Sequence, residues 1–397
     1  MLRNWEFQMP TQVQFGRGGL RRLGRAAAKL GKSALLVGYR GSQTLEPVYA
    51  RAARSLTEAG LTVTEFFEVP PDPDAAVAVE GARRATEAGA DVVVGLGGGS
   101  VIDAAKGIAA LVRMGGSLWD YAGSNKDFRP VTDALPLIAV PTTAGTGSEL
   151  TPFAVFNHHG LGSLPGIPLK ASISGPAVLP KIALIDPDLT VGSPAPLTAA
   201  CGADALGHAI EACMSRRANP IASALAGRAV ALIVEHLPRA FEDPADPEPR
   251  ESLSLAASLA GAAFGASSVV MTHSMAHALG AMLHVAHGAA IAAATPLVLR
   301  YNQEQCVDAY AQLADCCGIA ADSPEEKAAQ FVDLIAGLLE TVGLPGRIKV
   351  STGVSDRLAE DLAINAFESM LKPLEWNPRE VDRATLARLF EELLDTE

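Results

Sequence analysis

Four short stretches of the chain are apolar at nearly every position: SALLVG (33–38), the strand portion of DVVVGLGGG (91–99), PLIAVPTT (136–143) and KIALIDP (181–187). A fifth, LTVTEFF (61–67), is rich in β-branched and aromatic residues. Between them EPVYARAARSLTEAG (46–60), DAAVAVEGARRATEAG (74–89) and SVIDAAKGIAALVR (100–113) carry helical periodicity. Strands apolar on both faces and separated by helices predict a parallel sheet covered on each side, a doubly wound α/β domain. After Pro187 the strand pattern stops, and from Thr198 the chain is Ala-rich and helical, broken by EDPADPEPRE (242–251). The pattern predicts an α/β domain over 1–186 and an all-helical domain over 187–397.

Composition sharpens this picture. A length of 397 residues suits about two domains, and 49% hydrophobic against 19% charged residues excludes a disordered chain. A net charge of −12 without any Lys/Arg-rich run argues against nucleic-acid binding. The opening MLRNWEFQMPTQ lacks the apolar core of a signal peptide, and the five cysteines show no CxxC spacing, so the expectation is a reducing cytoplasm without disulfides. Residues 252–272 are uncharged and long enough to cross a bilayer, but they are mostly Ala, Ser and Gly. They read as a buried helix that neighbouring helices approach closely rather than as a membrane span.

Two loops follow strands with phosphate-binding chemistry. In GLGGGSVIDAAKG (95–107) a strand runs into Gly97, Gly98 and Gly99, and a helix opens at Ser100. Free N–H groups and the positive end of the helix dipole suit an anion there, which the absent side chains let approach the backbone. Asp103, three residues after Ser100, matches a capping box. In PTTAGTGSE (141–149), Thr142, Thr143, Thr146 and Ser148 follow the next strand of the sheet, where small hydroxyls suit ribose or phosphate.

The helical half carries metal-ligand chemistry. In GADALGHAIEA (202–212), Asp204 and His208 stand at i, i+4 and share a helix face, so a divalent ion could take both. In MTHSMAHALGAMLHVAHG (271–288), His273, His277, His284 and His287 lie in a segment with no charged residue from Ser252 to Leu299. Each buried imidazole needs a partner, and a metal ion supplies one. His273 and His287 would lie about 21 Å apart on an unbroken helix. Either His273 and His277 pair at i, i+4, or the chain turns back near Gly280 and joins His273 to His287.

Taken in order, GGGSVIDAAK, PTTAGTGSE, GADALGHAIEA, HSMAHALGAMLHVAHG, LRYN and the late NPR (377–379) resemble the iron-containing (group III) alcohol dehydrogenases, from FGRGG (15–19) to the C-terminal helix. The resemblance implies the group III alcohol dehydrogenase fold, shared with dehydroquinate synthase: an N-terminal dinucleotide-binding domain, a helical C-terminal domain and a metal between them. It implies Asp204, His208, His273 and His287 as ligands. His277 matches a histidine near nicotinamide and metal that is not a ligand, and His284 matches no motif position. Lys170 aligns with a lysine that approaches the cofactor, and Phe153 and Phe264 fall where the substrate-pocket aromatics lie. The implied activity is metal-dependent hydride transfer between a short-chain alcohol, aldehyde or ketone and NAD or NADP, in a homodimer or larger assembly. Fe2+ is the metal the family name suggests, while three imidazoles and a carboxylate also suit Zn2+.

Departures matter too. Many NAD-preferring members carry an Asp after the strand that SALLVG resembles; here Tyr39 and Arg40 stand there, and no acid bars a 2′-phosphate. HHGLGSLPGIPL (158–169) replaces a short turn, placing His158 and His159 in a surface loop. Two related activities compete. Maleylacetate reductases dispense with the metal, whereas all four ligand positions are filled here. Dehydroquinate synthases have a Glu in place of Asp204.

Overall fold

The computed structural model describes residues 4–350 and 357–396. The first half runs β1 (Gln12–Phe15), α1 (Leu23–Ala27), β2 (Ser33–Tyr39), α2 (Glu46–Glu58), β3 (Thr62–Val69), α3 (Ala75–Glu87), β4 (Val92–Gly97), α4 (Gly99–Met114), β5 (Leu137–Pro141), β6 (Phe153–His158), β7 (Leu169–Ser174) and β8 (Ile182–Ile185). Six of the strands form one parallel sheet in the order β1-β8-β5-β4-β2-β3. Alternation along β2 explains its unbroken apolar run. Ala34 and Leu36 face a core with Leu23 and Leu56, whereas Leu35 and Val37 face one with Val101 and Ile108.

Two features depart from the sequence reading. Strand β1, QVQF, is a half-exposed edge strand pairing only with β8, so no apolar run announces it. β6 and β7 form an antiparallel hairpin, from Phe153↔Ser174 to His158↔Leu169, which the apolar pattern does not announce; of the expected loop over 158–169, the end residues belong to the strands.

The second half contains α5 (Ala195–Met214), α6 (Pro220–Glu242), α7 (Pro247–Ser267), α8 (Met271–Leu283), α9 (His287–Asn302), α10 (Val307–Cys316), α11 (Pro324–Thr341), β9 (Ile348–Val350), α12 (Leu358–Ser369), α13 (Leu371–Glu375), α14 (Arg383–Leu393) and β10 (Leu394–Thr396). It is not wholly helical, because β9 and β10 pair in parallel. Proline in the first turn begins α6 and α7, and the side chains of Asn219 and Asp246 cap them. Among the described residues helix α6 is long and apolar enough to cross a membrane, and α7 with α8 would be as a pair but is bent by 105°. The face of α6 instead packs on α5 and α7 through Ala222, Ala226, Val230 and Ile233.

The halves meet where side chains are missing. Gly147, in the left-handed region (φ 60°), sits against Gly261 of α7. A Cβ on Gly261 would lie 2.6 Å from the Gly147 carbonyl oxygen, and one on Gly147 would lie 2.5 Å from the Gly261 Cα.

Candidate active site

Helix α5 carries Asp204 and His208 one turn apart, and α8 carries His273 and His277. The chain reverses beyond Gly280, at exposed His284, whose left-handed conformation (φ 55°) ends α8 before α9 opens at His287. That reversal brings His287 back to His273, with ring centroids 5.7 Å apart, while His208 stacks on His273 at 4.4 Å. His284 stays outside the site and serves as the helix cap.

The Asp204 Oδ1 atom is the common neighbour. It lies 3.7 Å from His208 Nδ1, 3.6 Å from His273 Nε2 and 3.3 Å from His287 Nε2. Bonds of about 2.1 Å to one tetrahedral ion put ligand atoms roughly 3.4 Å apart. Six buried side-chain polar atoms lack a hydrogen-bond partner among the described residues, and three of them, Asp204 Oδ1, His208 Nδ1 and His273 Nε2, lie within 4.8 Å of one another; His287 turns Nε2 to Asp204 and leaves its Nδ1 as a fourth orphan. Such orphans are costly unless a further partner arrives, so the donor set fits a divalent ion.

One supporting residue escaped the sequence reading. Glu211, one turn beyond His208, accepts the Nδ1–H of His273 and, at 2.7 Å, the backbone N–H of Thr272. A buried acid at i+3 from a candidate ligand histidine is the signal that marks it. Burial pushes the His208 pKa down to about 3. Burial also opposes the charged form of His273, but Glu211 and Asp204 outweigh it and raise that pKa to about 9. For Asp204, burial is outweighed by His208 and His287, which hold its pKa well below the usual carboxylate range. Burial, reinforced by Lys170, keeps His277 neutral. Its Nδ1–H donates to the Lys170 carbonyl at 3.0 Å, leaving the Nε2 lone pair free.

These groups open into a cleft of about 460 Å³ that also takes in Gly98, Gly99, Ser100, Asp103, Thr143, Thr146 and Ser148. Gly97 and Thr142 lie behind this wall, joined by a Thr142 N–H to Gly97 carbonyl bond of 2.9 Å. The glycines are required by contact. A Cβ on Gly98 would meet the Tyr39 hydroxyl at 2.7 Å, and one on Gly99 would meet Thr146 Cγ2 at 2.5 Å.

The expected capping box is absent. Gly98, not Ser100, is the N-cap of α4, with no side-chain cap bond. Ser100 Oγ accepts the Asp72 N–H at 3.1 Å, and Asp103 accepts Ser148 Oγ at 2.6 Å and the Val155 N–H at 2.9 Å. Tertiary partners have taken both side chains. Beside them Lys106, fully buried, donates to Ser148 Oγ (2.9 Å), Thr151 O (2.9 Å), Thr151 Oγ1 (3.1 Å) and Phe153 O (2.6 Å). It fastens the second loop and the start of β6 to α4.

Tyr39 lines the cleft at the end of β2, with its pKa raised to about 12 by burial, whereas Arg40 is exposed and outside the lining. Lys170 pairs with Asp72 at 2.6 Å. Phe153 and Phe264 both line the cleft, with centroids 6.4 Å apart, and Phe264 stacks on His208 at 4.1 Å. His158 is no surface residue. It ends β6, is buried against Trp119, and burial lowers its pKa to about 4. His159 is exposed and pairs with Asp74 at 2.9 Å. Neither lines the cleft.

Comparison with known proteins shows the family of the whole chain. The sequence profile described as iron-containing alcohol dehydrogenase matches residues 10–187, and that of the Fe-containing alcohol dehydrogenase family, C-terminal, matches 198–394. The chain is 31% identical over 390 residues to the NAD-dependent methanol dehydrogenase of Bacillus methanolicus, spanning 98% of this chain and 99% of that one. It is 30% identical over 397 residues to the NADPH-dependent butanol dehydrogenase of Clostridium saccharobutylicum, spanning 97% of each. The crystal structure of an archaeal halo-thermophilic alcohol dehydrogenase from a Red Sea brine pool superposes with a TM-score of 0.91 at 30% identity, over 99% of this chain and 100% of that one. The chain belongs to the iron-containing alcohol dehydrogenase family and is a metal-dependent, NAD(P)-linked alcohol dehydrogenase of two-domain fold.

Proposed function

We propose that the chain interconverts a short-chain primary alcohol and its aldehyde in the cleft between the α/β domain (1–186) and the helical domain (187–397). In the oxidising direction the carbinol C–H bond breaks with its electron pair, which passes as hydride to nicotinamide, and the hydroxyl proton leaves to solvent. The observation that carries this reading is the convergence, in one cleft, of a glycine loop at a helix N-terminus with four polar side chains whose buried atoms lack partners. We assign Asp204, His208, His273 and His287 to one divalent ion, Fe2+ by family and Zn2+ by equal suitability of the ligands. Such an ion supplies Lewis-acid polarisation of the substrate oxygen.

The remaining roles fall to the chain itself. Gly98, Gly99 and Ser100 offer the α4 N-terminus to the cofactor phosphates, with Thr143, Thr146 and Ser148 across from them. Asp103, Gly97 and Thr142 hold that wall in shape. Lys170 reaches the cofactor from β7. Neutral His277 presents a free Nε2 and carries the proton outward. Phe153 and Phe264 exclude water, which suits hydride transfer. Tyr39 in place of an acid leaves room for either dinucleotide, and Arg40, without a carboxylate partner among the described residues, suits the 2′-phosphate of NADP. A homo-oligomer in the cytoplasm fits the family and the five free cysteines.

The test is metal content together with NAD+ and NADP+ reduction over a panel of primary alcohols, repeated on His287→Ala. The wild type is expected to hold about one divalent ion per chain, and the variant to lose both ion and activity. Full activity in the variant would overturn the ligand assignment, and the faster dinucleotide decides the role of Arg40.

A further inference from the structure

Three lysine or arginine side chains line the cleft: Lys170, Arg217 and Lys372. Lys170 is neutralised by Asp72 at 2.6 Å. No carboxylate among the described residues pairs with Arg217 or Lys372. Each is steadied by a ring instead, the Arg217 guanidinium 5.4 Å from the Trp376 centroid and the Lys372 ammonium 5.1 Å from that of Phe128.

Helix α5 works as a ruler for where these cations stand. Its early turn, at Cys201, touches the second cofactor loop, since a Cβ on Gly145 would lie 3.0 Å from Cys201 Cβ. Asp204 and His208 come next, and the helix ends at Met214, leaving Arg217 beyond the histidines. Ser215 Oγ donates to the Ser267 carbonyl at 2.9 Å, which ties this end to the terminus of α7 just past Phe264. Lys372 reaches the same end from α13. It follows Met370, whose carbonyl accepts the hydroxyl of Ser274, the neighbour of His273, at 3.3 Å. The acids that line the cleft stand elsewhere, Asp72 and Asp103 by the cofactor loops and Asp204 among the histidines. Glu375, on the same short helix as Lys372, does not line it.

Resting on the dehydrogenase reading above, we propose that Arg217 and Lys372 form an anion subsite at the substrate end of the cleft, and that the preferred substrate is a short alcohol or aldehyde bearing a carboxylate at its far end. The cofactor phosphates do not account for the pair, because their cradle at the α4 N-terminus lies on the other side of the histidines. The chain as a whole repels anions, with a net charge of −12. Two unpaired cations at one mouth therefore reverse the field where a substrate enters. The carboxylate takes no part in the redox step. Hydride still leaves the carbinol carbon for nicotinamide and the hydroxyl proton still goes to solvent.

The test compares kcat/KM for 4-hydroxybutanoate and for 1-butanol in the metal-loaded enzyme. The acid is expected to be the better substrate, through a lower KM, and its advantage should shrink as salt rises. Arg217 and Lys372 are both exposed, so in R217Q/K372Q the ratio of the two kcat/KM values should fall by roughly three- to tenfold, the scale expected of two exposed charge contacts. R217K should keep most of the ratio, and R217E/K372E should invert it. Because each value is a ratio within one protein, general damage to the enzyme cancels. A wild type that prefers 1-butanol, or a ratio unchanged in R217Q/K372Q, overturns the subsite while leaving the dehydrogenase reading intact. If neither compound, nor any other primary alcohol, reduces the cofactor, that reading falls and takes the subsite with it.

Discussion

Glu211→Gln perturbs the proposed metal centre without replacing a ligand or a residue that lines the cleft. The carboxylate can only accept hydrogen bonds, so it fixes the His273 proton on Nδ1 and leaves the Nε2 lone pair aimed toward Asp204, 3.6 Å away. A glutamine at 211 can still accept the Thr272 N–H through its oxygen, as Glu211 does at 2.7 Å. That orientation turns the amide nitrogen toward His273 Nδ1, and two donors cannot face each other. The imidazole then shifts its proton to Nε2, the atom the ion requires. Losing such a supporting partner weakens metal binding by roughly 10- to 100-fold, which corresponds to about 1.4–2.7 kcal/mol. Protons compete with the ion for His273, whose pKa Glu211 and Asp204 raise to about 9 against the opposing effect of burial. Apo protein is therefore titrated with Zn2+ against a chelating dye of known affinity at about pH 9.5, above that value. A thermal melt of the apo variant checks that it is folded. Zn2+ affinity within twofold of wild type would refute the tautomer reasoning.

Three further substitutions test contacts already described. Lys106→Met takes the donor from the Thr151 and Phe153 carbonyls, while Asp103 keeps its bonds from Ser148 and Val155, and should cost about 3–5 kcal/mol in denaturant unfolding; a loss below about 1 kcal/mol would show that the network relaxes. Burial lowers the folded Lys106 pKa from 10.5 to about 8, so between those values the unfolded chain binds the extra proton, and wild type should gain stability over the variant as pH rises through that window. His277→Ala should lower kcat by about 100-fold, and activity unchanged across pH would remove its proton-carrying role. Gly99→Ala drives a methyl against Thr146 and should raise KM for the dinucleotide by roughly tenfold, read by steady-state kinetics; an unchanged KM would place the phosphates elsewhere.

How much could be read ahead of the structure depended on where each signal lives. The buried strands β2, β4, β5 and β8 were legible because both faces are apolar, and β1 was not, because none of its four residues is fully buried. The β6–β7 hairpin escaped because its strands are separated by a ten-residue loop rich in Gly and Pro (159–168), and the side chain that looked most like loop, His158, packs under Trp119. Spacing left two ways to combine the histidines, and the family resemblance chose between them. The turn itself falls at His284, where a left-handed backbone on a non-glycine residue leaves little trace in sequence. Glu211 and Lys106 were missed because what makes them matter is the identity of their tertiary partners. Ser100 and Asp103 misled for the same reason, each being bonded to another element instead of to its own helix end.

The Gly147–Gly261 contact bears on how such enzymes can be recombined. The loop that follows β5 and the helix that backs the histidines touch backbone to backbone, so neither surface tolerates even a methyl group. A chimera joined near residue 187 would inherit position 147 from one parent and position 261 from the other. If the incoming helical half brings alanine at 261, the new atom meets a carbonyl oxygen at 2.6 Å, and the halves must part to admit it. The two domains are thus not interchangeable modules. They are matched along a seam, and exchange between relatives succeeds only where both parents keep glycine on their side of it.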